Sequence, residues 1–215
     1  MEISAVEKDA SLLPKLNWVR PYFPDLGECI DSLIQKKSFA NKWLTIHLHH
    51  LPLETLYLKP ESFPERGFDL VLHDAFSPAK CPELWSAELF REYFLRMNEG
   101  GIFLTYASAL PVAAGLIEAG FSVQGTAPVG RKQGGLMARR DGLRFVEKEI
   151  SELYEKTTAH APYRSAGLDH LDPKKWRTKI LENWEAEKKQ LVTEGKLTIK
   201  KYLKNSDEKG HAPAI

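Results

Sequence analysis

The stretch from residue 68 to residue 85 most constrains how this chain can fold. It begins with an apolar run, Leu70-Val71-Leu72, which is typical of a strand buried on both faces of a parallel sheet. Asp74 follows where that strand should end, and a polar turn leads to Pro82, a residue favoured at the first position of a helix. Because ligands bind at the carboxyl ends of strands in open α/β sheets, this pattern predicts a site at Asp74. The spacing alone also allows Asp74 to be only a cap of the turn or of the helix.

Strands and helices alternate along the first 142 residues. Apolar runs predict strands at residues 3–6, 43–48, 68–73, 102–106, 121–126 and 135–139. Helical spacing predicts a short helix before residue 34, a helix over 82–97 that buries Leu95 among its apolar residues, and a helix over 111–119. The alternation indicates a mainly parallel α/β sheet that ends in an antiparallel pair of strands.

The character of the chain changes after Arg140. We therefore predict an α/β domain over residues 1–142, a helical extension over 143–204 and a flexible tail over 205–215. Residues 174–204 contain ten Lys or Arg and four Glu, so the extension is locally basic. Within it, Trp176, Ile180 and Trp184 are spaced four apart, which predicts a helix that packs on the domain.

Overall charge and cysteine content exclude several classes of protein. A net charge of +1 provides no global field for nucleic acid, so any such partner must meet a local patch. Two cysteines do not make a disulfide framework, and charged residues within the first ten positions argue against a signal peptide. The longest uncharged run, residues 101–117, is too short and too rich in Gly, Pro, Ser and Thr to span a membrane. We expect a cytoplasmic protein with no membrane partner.

No metal site is expected from the sequence. His47, His49 and His50 lie close together, but only His47 and His49 share one face of a strand. No cysteine or acid has the spacing that would complete a ligand set with them. Cys81 precedes the predicted helix, where packing or capping is the simpler role for it.

The residues around Asp74 resemble the signature of one enzyme family. Asp74-Ala-Phe-Ser-Pro-Ala-Lys80 and then Pro82-Glu-Leu-Trp85 agree with the pattern of the MnmC-type methyltransferase domain, and only Cys81 departs from it, where the family has Asn. Members are class I enzymes that use S-adenosyl-L-methionine to convert 5-aminomethyl-2-thiouridine at the tRNA wobble position to its 5-methylaminomethyl form. The resemblance implies a Rossmann-like class I methyltransferase sheet, mainly parallel, with a C-terminal antiparallel pair and C-terminal helices.

Other stretches agree with the family in order and spacing. Glu7, at the end of the first predicted strand, is similar to the acid that binds the cofactor ribose, and residues 105–108, 130–132 and 162–164 resemble three later family motifs. The resemblance implies S-adenosyl-L-methionine as cofactor, held by Glu7, Asp74, Ala75 and Phe76. Asp74 is the implied catalytic residue, as proton acceptor or as the group that orients the amine; its alternative role is to hold the amino group of the cofactor.

The resemblance also implies tRNA as the partner. Phe76 and Tyr106 would enclose the uracil, and Lys80, Arg131 and Lys132 would contact RNA phosphate, with the basic 174–204 segment extending that contact. The alternative for each basic residue is an ordinary solvated surface charge. An oxidase domain or protein acting on the same uridine is a further implied partner.

Two departures from the family pattern bear on function. The family fold opens with a strand and a glycine-rich turn, and that strand lies between those predicted here at 3–6 and 68–73; this sequence has no such turn. The family also has Gly-Asp-Ala after its third strand, with the acid facing the adenine amino group, where this chain has Leu51-Pro52-Leu53. We therefore expect the first strand of the sheet to be missing.

Three explanations of these departures stay open. The chain is a fragment of a longer protein, or a separate polypeptide supplies the first strand, or the chain is a degenerate paralogue that has lost the cofactor. The undamaged motif at residues 74–85 favours the first explanation, and Pro52 favours the last. The function predicted from the sequence is tRNA methyl transfer, with a non-catalytic module that binds tRNA or a partner as the alternative.

Overall fold

The computed structural model describes residues 1–53, 67–128, 130 and 134–207. The chain divides into two compact units, Met1–Thr55 and Leu56–Ile215. In the described part of the chain, no helix is both long enough and apolar enough to cross a membrane.

The first unit contains a three-stranded sheet and one α-helix. Strands β1 (Glu2–Val6), β2 (Ser38–Ala40) and β3 (Thr45–His49) are arranged in the order β1-β3-β2. β1 runs parallel to β3, and β2 runs antiparallel to it. A 3-10 helix (Ala10–Val19) and helix α1 (Gly27–Lys36) follow β1, and they form part of the crossover that joins it to its parallel partner β3.

The second unit is built on a four-stranded sheet. Strands β4 (Phe68–His73), β5 (Met97–Thr105), β6 (Ser122–Gly125) and β7 (Leu136–Arg139) are arranged in the order β4-β5-β7-β6. β4 and β5 are parallel, whereas β7 is antiparallel to both β5 and β6. The predicted antiparallel pair at the end of the sheet is therefore confirmed.

Helices α2 (Ala87–Arg96) and α3 (Leu110–Ala119) bury their apolar residues to form the core of the second unit. α2 contributes Phe90, which lies edge-on to Phe103 of β5 at a centroid distance of 5.6 Å. Gly115 of α3 lets the two helices approach closely, because a Cβ atom there would lie only 2.9 Å from Cδ2 of Phe90. An alanine at this position would push the helices apart.

The predicted helix over residues 82–97 is interrupted at Ser86. Residues Pro82–Trp85 form a 3-10 turn, and α2 begins after it. Ser86 is extended because it forms a bridge with Tyr163, whose carbonyl accepts the amide N–H of Ala87 at 2.9 Å. Its Oγ then caps α2 by accepting from the amide of Leu89. The prediction of one continuous helix was wrong because a distant segment, not the local sequence, sets this break.

Two predictions of burial are also wrong. Leu70 and Leu72 of β4 are 50% and 70% exposed, although their run was expected to be buried on both faces. α2 packs on the opposite face of β4, against His73, so the face that holds the two leucines stays open to solvent. Leu95 on α2, also expected to be buried, is 47% exposed.

Strand β1 lies at the edge of the first sheet, and β4 lies at the edge of the second. Both were predicted to flank the first strand of the family fold, which was expected to be missing. Among the described residues, β1 pairs only with β3, and β4 pairs only with β5. The glycine-bearing strand of the family fold was predicted to lie between these two strands. In the described part of the chain, neither therefore has a strand on its second side.

The residues after 142 form α4 (Lys148–Lys156), α5 (Pro173–Thr193) and α6 (Ile199–Asp207). Trp176 and Ile180 of α5 are buried, as their spacing predicts, and Nε1 of Trp184 donates to the carbonyl of Ala161. The predicted flexible tail begins at residue 205, but helix α6 continues to Asp207, and residues 208–215 lie outside the described part.

Arg164 ties α3 to α5. Its guanidinium donates two hydrogen bonds to Glu118, at 2.7 and 2.9 Å, and two to Glu187, at 3.0 and 3.1 Å. These carboxylates hold the pKa of Arg164 above its ordinary value. Such planar, bidentate contacts cannot be reproduced by a lysine.

We expect Arg164→Gln to lower the free energy of unfolding by about 1–2 kcal/mol, because it leaves two carboxylates facing each other without a cation. Urea denaturation measures this change. Lys156→Gln, which removes an exposed pair with Glu152, is the control and should cost only a few tenths of a kcal/mol. A loss at Arg164 no larger than at Lys156 would contradict the structural role.

Candidate active site

Asp74 lies at the carboxyl end of β4, one residue after the strand ends at His73. The strand register places His73 opposite Thr105, the last residue of β5, so Asp74 and Tyr106 follow paired strand ends. Asp74 is exposed. The carboxylate is thus presented at the edge of the sheet where parallel strands bind ligands, as the sequence predicts.

Two side chains, one from the motif and one that follows β5, fix the backbone that follows Asp74. Oη–H of Tyr106 donates to the carbonyl of Ala75 at 2.7 Å, and Nε1–H of Trp85 donates to the carbonyl of Phe76, also at 2.7 Å. The rings of Trp85 and Tyr106 pack edge to face at 5.9 Å. The loop is therefore held through its carbonyl groups, and the Asp74 carboxylate forms no hydrogen bond to it among residues 1–53, 67–128, 130 and 134–207.

The second half of the loop is held in the same way. The carbonyl of Ser77 accepts the amides of Lys80 and Cys81, at 2.8 and 3.1 Å, which closes a tight turn. Nε of Arg177, on helix α5, donates to the carbonyl of Ala79 at 3.1 Å. Helix α5 therefore contacts the motif loop directly.

His73, the last residue of β4, bonds to the turn that follows the motif loop. Its Nε2 lies 2.9 Å from the carbonyl of Leu84, and its Nδ1 lies 3.1 Å from the hydroxyl of Tyr93. A carbonyl can only accept, so Nε2 carries the proton and Nδ1 accepts from Tyr93. Burial lowers the pKa of His73 to about 4, which keeps the ring neutral.

An aromatic box surrounds the neutral His73 ring. Phe103 stacks on it at a centroid distance of 5.7 Å, and Trp85 meets it edge-on at 4.6 Å. The ring thus joins the end of β4 to the turn that carries Trp85. Sequence reasoning did not single out His73; the available signal was a polar ring at an inward-facing position of an apolar strand.

The other predicted site residues fall into three groups. Phe76 is 72% exposed and Lys80 is exposed, so both side chains are accessible beside Asp74. The hydroxyl of Tyr106, predicted to enclose the uracil, is already bonded to the loop. Arg131 and Lys132 lie outside the described residues.

Glu7 belongs to the first unit. It follows β1 at the carboxyl end of that strand, and its Oε1 accepts the amide of Asp9 at 2.7 Å. One carboxylate oxygen therefore closes the turn after β1. The second oxygen, Oε2, is the acceptor that could serve a ligand hydroxyl.

The described residues match part of what a bound S-adenosyl-L-methionine requires. Glu7 and Asp74 supply acceptors for hydroxyl and ammonium groups, each at the end of a parallel strand. Residues 51–53, which follow β3, are Leu-Pro-Leu and provide no acidic acceptor for an adenine amino group. Taken separately, Glu7 of the first unit suits ribose hydroxyls and Asp74 of the second unit suits an ammonium group.

No group of three or more His, Cys, Asp or Glu side chains among residues 1–53, 67–128, 130 and 134–207 is placed to hold a metal ion.

Comparison with known proteins gives matches over part of this chain. Residues 37–141 match the family model described as an S-adenosyl-L-methionine-dependent methyltransferase. An uncharacterized protein of Methanocaldococcus jannaschii is 31% identical over 154 residues, which cover 69% of this chain and 41% of that protein. The tRNA 5-methylaminomethyl-2-thiouridine biosynthesis bifunctional protein MnmC of Nitrosospira multiformis is 38% identical over 146 residues, which cover 62% of this chain and 22% of that protein.

The fold has a counterpart among solved structures. The crystal structure of MnmC2 from Aquifex aeolicus superimposes with a TM-score of 0.62 and 20% sequence identity, over 86% of this chain and 68% of that chain. The chain spans about two fifths of the Methanocaldococcus relative and about a fifth of the Nitrosospira one. Residues 37–141 therefore match the S-adenosyl-L-methionine-dependent methyltransferase family, and the chain is similar in sequence and in its Rossmann-like fold to domains of the MnmC type.

Proposed function

We propose that this chain transfers a methyl group to the aminomethyl nitrogen of the wobble uridine in tRNA, and so converts 5-aminomethyl-2-thiouridine to 5-methylaminomethyl-2-thiouridine. The observation that carries the proposal is the exposed Asp74 carboxylate on a loop held by the side chains of Tyr106 and Trp85. A rigid loop can present one carboxylate to a substrate nitrogen in a fixed orientation, which is a large part of what methyl transfer requires.

Asp74 acts on the nitrogen of the substrate. The amine attacks as a neutral group and becomes positively charged as its new N–C bond forms. A carboxylate that accepts a hydrogen bond from this nitrogen aligns the lone pair, stabilises the developing charge and offers an acceptor for the proton that is then lost. S-adenosyl-L-methionine supplies the methyl group when it is bound.

Other residues bind and orient. Glu7 would accept hydrogen bonds from the ribose hydroxyls of the cofactor, and Ala75 and Phe76 would line its amino-acid end beside Asp74. The exposed ring of Phe76 offers a surface on which the uracil can stack. Lys80, Arg131 and Lys132 would contact phosphate, and Tyr106 supports the site through the Ala75 carbonyl that it binds.

One observation favours a second candidate, a non-catalytic module that binds tRNA or a partner. Residues 51–53 are apolar and include Pro52, where an acid would bind the adenine amino group. Loss of one such hydrogen bond weakens binding by about 1–3 kcal/mol, which is tenfold or more in affinity. On this reading the chain binds RNA without turnover, and an oxidase domain or protein that acts on the same uridine is a candidate partner.

A methyl-transfer assay tests the two candidates. The purified chain is incubated with methyl-labelled S-adenosyl-L-methionine and tRNA that carries 5-aminomethyl-2-thiouridine, while tRNA that already carries the methylated base is the control. We expect label in the first tRNA alone. Calorimetric titration with S-adenosylhomocysteine should show micromolar affinity. RNA binding without cofactor binding or transfer would instead support the non-catalytic module.

A further inference from the structure

We propose that the first two turns of helix α5, residues 173–181, form with Lys80 a phosphate-binding surface that holds the RNA substrate beside the motif loop. This inference rests on the proposed action on tRNA and assigns the contact to one part of the basic C-terminal segment. The rest of that segment, from residue 182 onward, is assigned no RNA contact.

The charge along α5 is uneven. Its first nine residues carry four basic side chains and no acidic one, whereas residues 182–193 carry three Glu and two Lys. The four cations, Lys174, Lys175, Arg177 and Lys179, are exposed. Among the described residues, none of the four forms an ion pair. A cluster of exposed cations at one end of a helix is suited to binding a phosphate backbone.

This basic end of α5 lies directly against the motif loop. The hydrogen bond from Arg177 to the carbonyl of Ala79 joins the helix to the residue that precedes Lys80. Lys174 lies one turn before Arg177 on the same side of the helix. Arg177 and Lys174 therefore form a row of cations on the side of α5 that contacts the motif loop, next to the residue that precedes Lys80.

The helix is rigidly held, so the row has a fixed position. Nε1 of Trp176 donates to the carbonyls of Leu168 and Leu171, at 2.9 and 3.1 Å, and Ile180 is fully buried. Asp172 caps the helix by accepting the amide of Lys174 at 2.9 Å. Because the backbone is ordered before binding, only the lysine side chains lose freedom when phosphate binds.

Several side chains in the later part of the segment form contacts within the protein. Lys188 pairs with Glu185 at 2.8 Å and lies over the ring of Trp184 at 4.0 Å. On α6, the hydroxyl of Tyr202 donates to Glu152 of α4 at 2.9 Å. These contacts make α6 a packing element against α4, with lysines on its outer side.

The chemistry of residues 173–181 favours RNA over a protein partner. Apart from Pro173, its exposed side chains are cationic or small and polar, and its large aromatic residue, Trp176, is buried. Protein interfaces depend on exposed aromatic anchors, which this surface does not offer. Phosphate contacts need only positioned cations.

The test compares two variants with equal loss of charge. The first carries Lys174→Gln, Lys175→Gln and Lys179→Gln, which leaves Arg177 and its bond to the loop intact. The matched control carries Lys189→Gln, Lys200→Gln and Lys201→Gln, which are also exposed. Binding to a fluorescent RNA hairpin with the sequence of a tRNA anticodon arm is measured by anisotropy across a range of salt concentrations.

We expect the first variant to bind about tenfold or more weakly at low salt, with the slope of log affinity against log salt reduced by about 2, since each lost phosphate contact removes about 0.7–0.9 from the slope. The control should bind within about twofold of the unmodified chain. Equal weakening of both variants, or of neither, would overturn the proposal. Unlabelled polyglutamate that displaces the fluorescent hairpin as effectively as unlabelled RNA of equal charge would also overturn the proposal. The surface would then be a site for acidic proteins.

The same measurements separate this inference from the proposed function. If the unmodified chain binds the hairpin and only the first variant loses affinity, the proposed phosphate-binding surface is supported, even if the methyl-transfer assay shows no label. If the unmodified chain binds no RNA, both the surface and the action on tRNA are wrong. Transfer of label to tRNA at equal rates by all three proteins would retain the proposed function and overturn the surface.

Discussion

Replacing Asp74 with asparagine is expected to lower the rate of methyl transfer to tRNA by about a hundredfold or more. Asparagine keeps the size of the side chain but removes the negative charge that stabilises the substrate nitrogen as it becomes cationic. Loss of one general acid–base group typically costs 10²–10⁴ in rate. The rate is measured as label transferred per minute under single-turnover conditions.

The fold should survive this substitution. Asp74 is exposed, and the loop is held by carbonyl groups and by the side chains of Tyr106 and Trp85. Exposed substitutions of this kind change stability by about 0.5 kcal/mol or less. The control is Asp69→Asn, at the other end of β4, where the carboxylate accepts from Asn98 at 2.8 Å. It should retain the activity of the unmodified chain.

Asp74 has two possible roles, and these predict different effects of Asp74→Asn on cofactor affinity. If Asp74 holds the cofactor amino group, Asp74→Asn weakens the binding of S-adenosylhomocysteine in calorimetry as well as the rate. If Asp74 acts on the amine of the substrate, cofactor affinity stays near its original value while the rate falls. An Asp74→Asn protein that retains more than about a third of the original rate has no catalytic need of this carboxylate, and the assignment would be withdrawn.

The position of Asp74 could be predicted from sequence because it depends on local pattern. An apolar run that ends in an acid, followed by a turn and a proline, is enough to place a carboxylate at the end of a buried-type strand. The contacts that hold the loop could not be predicted, since the bond from Tyr106 to Ala75 depends on the register of β4 and β5. Register is a tertiary property that one strand does not encode by itself.

The errors of prediction have the same origin. Ser86 breaks the helix because Tyr163, 77 residues later, forms a bridge with it. Leu70 and Leu72 are exposed because no described residue covers their face of the sheet. Their apolar character does agree with a parallel strand whose second neighbour is absent from the described residues. Hydrophobic pattern thus predicts what a strand is suited to bury, while exposure depends on which elements are present to cover it.

His73 is expected to make the stability of the second unit strongly dependent on pH. Its pKa is lowered by burial to about 4, whereas an unfolded histidine has a pKa near 6.5. Between these values the unfolded chain binds a proton that the folded chain does not bind, so the free energy of unfolding falls as the pH falls. The contribution is fully present above about pH 6.5 and is lost by about pH 4; a difference of this size corresponds to about 3 kcal/mol.

The variant His73→Gln isolates this contribution, because glutamine does not titrate. At pH 7 we expect it to be less stable than the unmodified chain by about 2 kcal/mol, since the carbonyl of Leu84 and the hydroxyl of Tyr93 lose well-placed partners. From pH 6.5 to pH 4.5 its stability, measured by urea denaturation, should fall less steeply, so that the two curves converge. His170→Gln, at an exposed histidine, should leave the steep dependence unchanged.

Convergence of the curves would indicate that the ring of His73, the residue before Asp74, stays neutral in the folded protein. A protonated His73 has no lone pair on Nδ1 with which to accept from Tyr93, and it places an uncompensated charge inside an aromatic box. Either effect would loosen the turn that Trp85 uses to hold the carbonyl of Phe76. Curves that stay parallel from pH 6.5 to pH 4.5 would mean that His73 titrates as an ordinary histidine and that other groups set the acid sensitivity of the fold.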